Sequence, residues 1–126
     1  MFVITKEFSF SASHKLCGLE EGHPCMNTHG HNYRVIVEMS DKRLNKNGFI
    51  LDYRKFAEIK IYLDRYFDHQ DITSIFSPAN PSAENIAKYL YDIFTRTYPL
   101  LTAITVSETD KTFATYRPNL IWKNYL

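Results

Sequence analysis

Two stretches of strict alternation limit what this chain can fold into. Phe8, Phe10, Ala12 and His14 share one parity and Ser9, Ser11 and Ser13 the other. Tyr33, Val35, Val37 and Met39 alternate in the same way with Asn32, Arg34 and Glu38. A period of two marks a strand buried on one face. Residues 2–14 are therefore expected as one half-buried strand and residues 31–39 as a second. Gly18, Gly22, Pro24 and Asn27 make residues 15–28 a loop between them.

The remainder supplies two helices and two more strands. Asp52 is a fitting N-cap for a helix in which Phe56, Ile59, Leu63, Tyr66 and Phe67 recur at helical spacing. Ser82 caps another, with Glu84 in its first turn near the positive end of the helix dipole. Its apolar stripe is Ile86, Leu90, Ile93 and Phe94, and Pro99 closes it. Residues 100–108 read as a third strand with Leu100, Ile104, Val106 and Glu108 on one face. A weaker fourth spans 112–117. The order β-β-α-α-β-β predicts an α+β fold, a four-stranded antiparallel sheet with both helices on one face. Such a sheet has open edges and a bare face, so oligomerisation is expected.

Composition narrows the function. A chain of 126 residues is read as a single domain over 1–126. Aromatics are 15% of it, more than so small a body hides easily, so part of that surface is expected to meet another subunit. Fifteen basic residues against fourteen acidic ones argue against a nucleic-acid partner. The longest uncharged run, Ile72 to Ala83, contains two prolines and is too short to span a membrane. Met1 to Lys6 reads as the start of a strand rather than a signal peptide. Cys17 and Cys25 are too few for a disulfide framework, so a reducing, cytoplasmic setting is expected.

Four of the five histidines lie in the first 31 residues. His14 closes the apolar face of the first strand, and His31 opens that of the second. His29 has the parity of His31. Antiparallel pairing brings the end of one strand beside the start of the other, so three imidazoles converge at one end of the sheet. Three neutral nitrogens suit a zinc ion with its fourth position open. The plainer alternative is a set of hydrogen-bonded histidines at strand ends. A triad nucleotide hydrolase would need a histidine where Tyr33 stands. A cupin would need a glutamate near Val35 or Ile36.

Cys25 lies four residues before His29. It is either a thiolate base beside the metal or a fourth, structural ligand. Cys17 has no partner pattern and is assigned no role. Asp68 precedes His69, either as an orienting carboxylate or as part of an exposed polar pair. Glu108 shares a face with Ile104 and Val106, where a carboxylate needs donors. A ligand offering two N–H groups would supply them, and so would a salt bridge at the sheet end.

These residues together resemble a known family. Cys25-Met-Asn-Thr-His29-Gly-His31-Asn-Tyr33, the upstream Ser-Ala-Ser-His14, Phe67-Asp68-His69, Pro81-Ser-Ala-Glu-Asn85 and Val106-Ser-Glu108-Thr resemble the 6-pyruvoyl-tetrahydropterin synthase superfamily over residues 2–118. The three residues between Cys25 and His29 look like its 6-carboxytetrahydropterin synthase branch; animal-type pyruvoyl synthases usually have a longer gap. The resemblance implies the tunnelling fold, in which subunits join their sheets into a barrel, here a hexamer built as a dimer of trimers, with active sites at the interfaces. It implies 7,8-dihydroneopterin triphosphate as substrate and 6-carboxytetrahydropterin, acetaldehyde and triphosphate as products, a step towards queuosine. It further implies one zinc per subunit on His14, His29 and His31, Cys25 as base, Asp68 and His69 as the partner acid–base pair, and Glu108 as the pterin anchor. Ser82 and Gln70 depart from the usual threonine and histidine. Residues 119–126 extend past the family's last strand and are read as a subunit contact.

Overall fold

The two alternating segments pair along their whole length. In the computed structural model, which describes residues 1–118, β1 (Phe2–His14) runs antiparallel to β2 (His29–Asp41), with Phe2 opposite Asp41 and His14 opposite His29. Only this parity puts Phe8, Phe10 and Ala12 on the same face as Tyr33, Val35, Val37 and Met39. All seven are buried. A slip of one residue would turn the whole set to the other face, so burial fixes the register.

β4 (Leu101–Thr109) pairs with β2, and β5 (Thr112–Tyr116) pairs with β4, both antiparallel. The sheet has five strands rather than four. The two-residue β3 (Gln70–Asp71) lies parallel to β1 beside Ala12 and Ser13, giving the order β3-β1-β2-β4-β5. Asp71 holds this short strand by accepting from Ser13 Oγ (3.0 Å) and from the Thr73 N–H (3.0 Å). A register shift at Glu38–Met39 places Leu101 opposite Met39 and Ile104 opposite Val37. Leu101, not the expected Leu100, therefore joins the core with Ile104 and Val106.

Among the described residues, three α-helices are present where two were expected. Asp52 does act as a cap: its Oδ1 accepts from the Arg54 N–H (2.9 Å). The turn it opens, Tyr53–Phe56, is a 3₁₀ turn that leads into α1 (Ala57–Tyr66). Ile59 and Leu63 are buried, as is Phe67 just past the helix, whereas Tyr66 is exposed. The added helix, α2 (Thr73–Phe76), is a single turn that buries Phe76. α3 (Ala83–Phe94) is capped by Ser82 Oγ, which accepts from the Asn85 N–H (3.2 Å), a bond worth about 1 kcal/mol. Ile86, Ala87, Leu90 and Phe94 face the sheet. Each large apolar side chain buried there contributes about 1.5–3 kcal/mol.

The helices cover one face of the sheet. The other face carries Ser11 bonded to Asn32 (2.7 Å), Arg34 paired with Glu7 (3.6 Å) and set over the Phe113 ring, and Thr105 bonded to Thr115 (2.7 Å). β3 covers only the last part of the outer edge of β1. None of the described helices is long and apolar enough to cross a membrane. Residues 119–126, read above as a subunit contact, lie outside the described residues.

Candidate metal centre and active site

The β1–β2 ladder places the three histidines. His14 lies opposite His29, and His31 lies opposite Ala12. His29 belongs to β2 itself, which begins two residues earlier than its hydrophobic pattern marks. The ring centroids stand 4.6 Å (His14–His29), 4.9 Å (His14–His31) and 4.9 Å (His29–His31) apart. One ring nitrogen from each lies within 4.8 Å of the others, so the group can hold a metal ion.

Their outer contacts aim the ring nitrogens. His29 Nδ1 lies 2.7 Å from the Asn27 carbonyl oxygen and His14 Nδ1 lies 2.8 Å from that of Pro81. A carbonyl accepts only, so each contact calls for an N–H at Nδ1 and leaves a lone pair at Nε2. Those two Nε2 atoms are 3.0 Å apart. His31 Nε2 is buried and has no hydrogen-bond partner. Its pKa is lowered chiefly by burial; Glu108 pulls it the other way, and His14 and His29 lower it further. Convergent imidazoles, an unpartnered nitrogen and carbonyl anchors behind two of the rings form a donor set that fits a zinc-type ion. Among the described residues, no Cys, Asp or Glu joins the three.

The other expected site residues lie at different depths, and Glu108 comes nearest the cluster's nitrogens among the contacts found. Cys25 sits half-buried in the 3₁₀ turn Pro24–Met26. Its N–H donates to His23 Nδ1 (3.1 Å), and its carbonyl accepts from the Leu16 N–H (2.8 Å), which closes the neck of the loop. Glu108 Oε2 lies 3.9 Å from His31 Nε2. Glu108 lines a depression with Leu16, Phe113 and the Ser82–Glu84 start of α3. No described residue donates a hydrogen bond to it, so the donors its place calls for are not supplied from within residues 1–118.

Asp68 and His69 are not among the clustered ligand groups, but His69 shares a cleft with His31. The Asp68–His69 pair occupies the turn between α1 and β3, where the His69 N–H donates to the Ser11 carbonyl (2.6 Å). Ser11 is three residues from His14, about 10 Å along the strand. Asp68 Oδ1 accepts from the Ser11 N–H (2.9 Å) and Oδ2 meets His69 Nδ1 (2.9 Å). These contacts, the Ser11 N–H first, hold the Asp68 carboxyl below its ordinary range. His69 has φ of +60°, a left-handed backbone, and its side chain is 83% exposed. It lines a shallow cleft with Ser11, Ser13, Gly30, His31 and Asn32.

Cys17 is exposed, and its backbone is pinned at both N–H and carbonyl by the Asn80 side chain (2.8 and 3.0 Å). The residue missed from sequence is Tyr33. It has no exposed surface, and its Oη lies 3.0 Å from His14 Nδ1. Burial, with the Glu108 charge second, pushes its phenol far above the ordinary range, so it keeps its proton. Its parity with His31, two residues earlier, was the available signal.

A five-stranded sheet with helices on one face and a three-histidine cluster at one end defines an α+β protein with a candidate metal centre. Residues 3–119 match the family model described as 6-pyruvoyl tetrahydropterin synthase, and the chain belongs to that family. It is 32% identical to 6-carboxy-5,6,7,8-tetrahydropterin synthase of Synechocystis, over 72% of this chain and 73% of the relative. It is 33% identical to the enzyme of the same name from Haemophilus influenzae, over 78% and 69%. The human 6-pyruvoyl tetrahydrobiopterin synthase is 27% identical over 90% of each chain. In structure, it is similar to 6-pyruvoyl tetrahydropterin synthase of Caenorhabditis elegans, with a TM-score of 0.80 and 26% identity over 94% of this chain and 98% of the other.

Proposed function

We propose that this chain is a zinc-dependent carbon–carbon lyase that converts 7,8-dihydroneopterin triphosphate and water to 6-carboxy-5,6,7,8-tetrahydropterin, acetaldehyde and triphosphate. The observation that carries the reading is the cluster of His14, His29 and His31, with two rings anchored from behind and His31 Nε2 left unpartnered. Two bacterial relatives above 30% identity bear the name of that activity.

In this reading His14, His29 and His31 hold zinc, one ion per subunit. Bound there, zinc supplies Lewis acidity to the substrate's side-chain hydroxyls. The Cys25 thiolate takes the proton from the side-chain carbon next to the ring. His69, its Nδ1 held by Asp68, returns a proton to the ring, so the ring is reduced as that carbon is oxidised. Glu108 binds two N–H groups of the pterin, which supply the donors its surroundings lack. Water enters as the carbon–carbon bond breaks.

The His69 backbone is tied to Ser11, about 10 Å along the strand from His14, and its side chain shares a cleft with His31 of its own chain. The reading includes a homo-oligomer, a hexamer of barrel-forming subunits with active sites at the interfaces. The outer edge of β1, mostly uncovered, supports sheet joining. The reading also places the enzyme in the cytoplasm, in queuosine synthesis, with residues 1–126 as one domain.

The second reading is a 6-pyruvoyl-tetrahydropterin synthase, favoured by the match to the human enzyme over 90% of each chain. One assay separates them. The protein is incubated with dihydroneopterin triphosphate, and acetaldehyde and triphosphate are measured. Both products support the lyase, triphosphate alone supports the pyruvoyl synthase, and neither overturns both.

A further inference from the structure

The loop that carries Cys25 has few ties to the rest of the protein. Most hydrogen bonds of residues 16–28 are internal. The Leu16 N–H donates to the Cys25 carbonyl (2.8 Å), Met26 to His23 (3.1 Å) and Asn27 to Pro24 (3.1 Å). These bonds shape the loop but do not place it. The Asn27 carbonyl reaches the ring of His29 at the start of β2. Among the described residues, every other hydrogen bond that leaves the loop goes to one side chain, Asn80.

That side chain grips the main chain of Cys17 at two points. Asn80 Oδ1 accepts from the Cys17 N–H (2.8 Å), and Asn80 Nδ2 donates to the Cys17 carbonyl (3.0 Å). A carboxamide offers an acceptor and a donor side by side, as this pairing requires. Aspartate would present a second acceptor in place of the donor, and alanine would present neither. Cys17 Sγ lies 3.3 Å from the same Oδ1, but the hold on the main chain does not need the thiol.

Asn80 is itself fixed from behind. Its carbonyl accepts from Asn85 Nδ2 (2.8 Å), in the first turn of α3. The next residue, Pro81, sets its carbonyl oxygen 2.8 Å from His14 Nδ1. Adjacent residues thus hold the Cys25 loop on one side and a ring of the histidine cluster on the other. The Leu16–Cys25 bond carries the hold on Cys17 across one residue to the main chain of Cys25.

We propose that Asn80 is a positioning residue for Cys25: its two-point grip on Cys17 fixes the loop against the segment that anchors His14, and so sets the thiol's place relative to the histidines. The inference rests on the reading of Cys25 as the base. A base must stand within hydrogen-bond reach of the proton it takes, and a misplacement of about 1 Å can cost about 10²-fold in rate.

The test uses two variants of the full chain. Asn80→Ala removes both bonds; Asn80→Asp keeps the shape and the acceptor and removes only the donor. Amide hydrogen exchange at Leu16, resolved by NMR, reads the bond to Cys25 and needs no substrate. It should quicken about fivefold in Asn80→Asp and about 25-fold in Asn80→Ala, as one and then two neutral hydrogen bonds are lost. Unchanged exchange in a folded Asn80→Ala would overturn the proposal. Should Asn80→Ala not fold, Asn80→Asp gives the same readout. In steady-state kinetics with dihydroneopterin triphosphate, kcat should fall about 10-fold in Asn80→Asp and about 100-fold in Asn80→Ala, with KM within about twofold of wild type. Zinc should stay at one per chain. A raised KM with kcat unchanged would overturn the proposal, since Asn80 would then serve binding rather than the base. Faster Leu16 exchange with kcat and KM both at wild-type values would leave the hold on the loop standing and overturn Cys25 as the base.

Discussion

His14, His29 and His31 are held by the strand ladder, with rings 4.6–4.9 Å apart and backbone carbonyls behind two of them. His69 is held by a turn, one backbone bond and the Asp68 carboxylate, with its ring 83% exposed. The first group cannot spread without unpairing β1 from β2, and burial lowers the pKa of His31 within it. The second is open to whatever enters the cleft, and its Asp68 partner has its pKa held below the ordinary range, chiefly by the Ser11 N–H. In the proposed reading the same side chain serves as a ligand at one place and as an acid–base group at the other. The strand and the turn make that division.

The hardest break is His29→Ala. It removes one nitrogen of three and the contact to His14 Nε2, and should abolish both stoichiometric zinc, read by elemental analysis, and turnover. Circular dichroism should stay native, because the β1–β2 ladder does not need this ring. Wholesale unfolding would instead mark a structural site, whose metal supplies folding free energy.

A break in the other group should leave the metal alone. Asp68→Asn or His69→Ala is expected to retain one zinc per chain and lose about 10²–10⁴-fold in turnover, the span typical of a general acid or base. The pH dependence of Asp68 follows from its sign. Its folded pKa lies below the ordinary 3.8, so its stabilisation is present above that pH and is lost as pH falls through the lower folded value. Thermal melts of wild type and Asp68→Asn should therefore differ most above pH 4 and converge in stronger acid.

Glu108, on β4, flanks the cluster on the side away from Asp68 and His69. Glu108→Gln keeps the shape and removes the charge, so substrate binding should weaken by about 10–100-fold with zinc content unchanged, as expected for charge-assisted bonds. Loss of zinc in this variant would move Glu108 from ligand binding into the metal site.

Much of the metal cluster was legible because strand parity is strict. His14 closing one alternating face and His31 opening the next are enough to bring them together once the strands pair. The anchors behind them were not legible, since the Asn27 and Pro81 carbonyls are backbone groups that no residue type announces. Tyr33 could be placed on the core face, yet nothing in the pattern says that its hydroxyl meets His14. β3 escaped because two residues, Gln70 and Asp71, have no period. The exchange of Leu100 for Leu101 in the core comes from a register shift opposite Glu38–Met39, set by pairing rather than by local sequence. Tyr66 fell on the expected helical stripe, but the helix ends there and Phe67 takes the buried place.

The division between a fixed metal ligand set and separate proton-moving groups is tested most directly by the zinc content and turnover of Cys25→Ala, with Cys17→Ala as the control. Cys25 lies on the loop that leads into β2, and it is not among the side chains whose ligand atoms cluster with the histidines. The expected result is one zinc per chain, an unchanged melting temperature and turnover lower by about 10²–10⁴-fold, while Cys17→Ala stays near wild type in all three. Zinc lost together with stability would make Cys25 a fourth ligand and contradict the open centre, and full activity with zinc retained would remove the thiol from the chemistry.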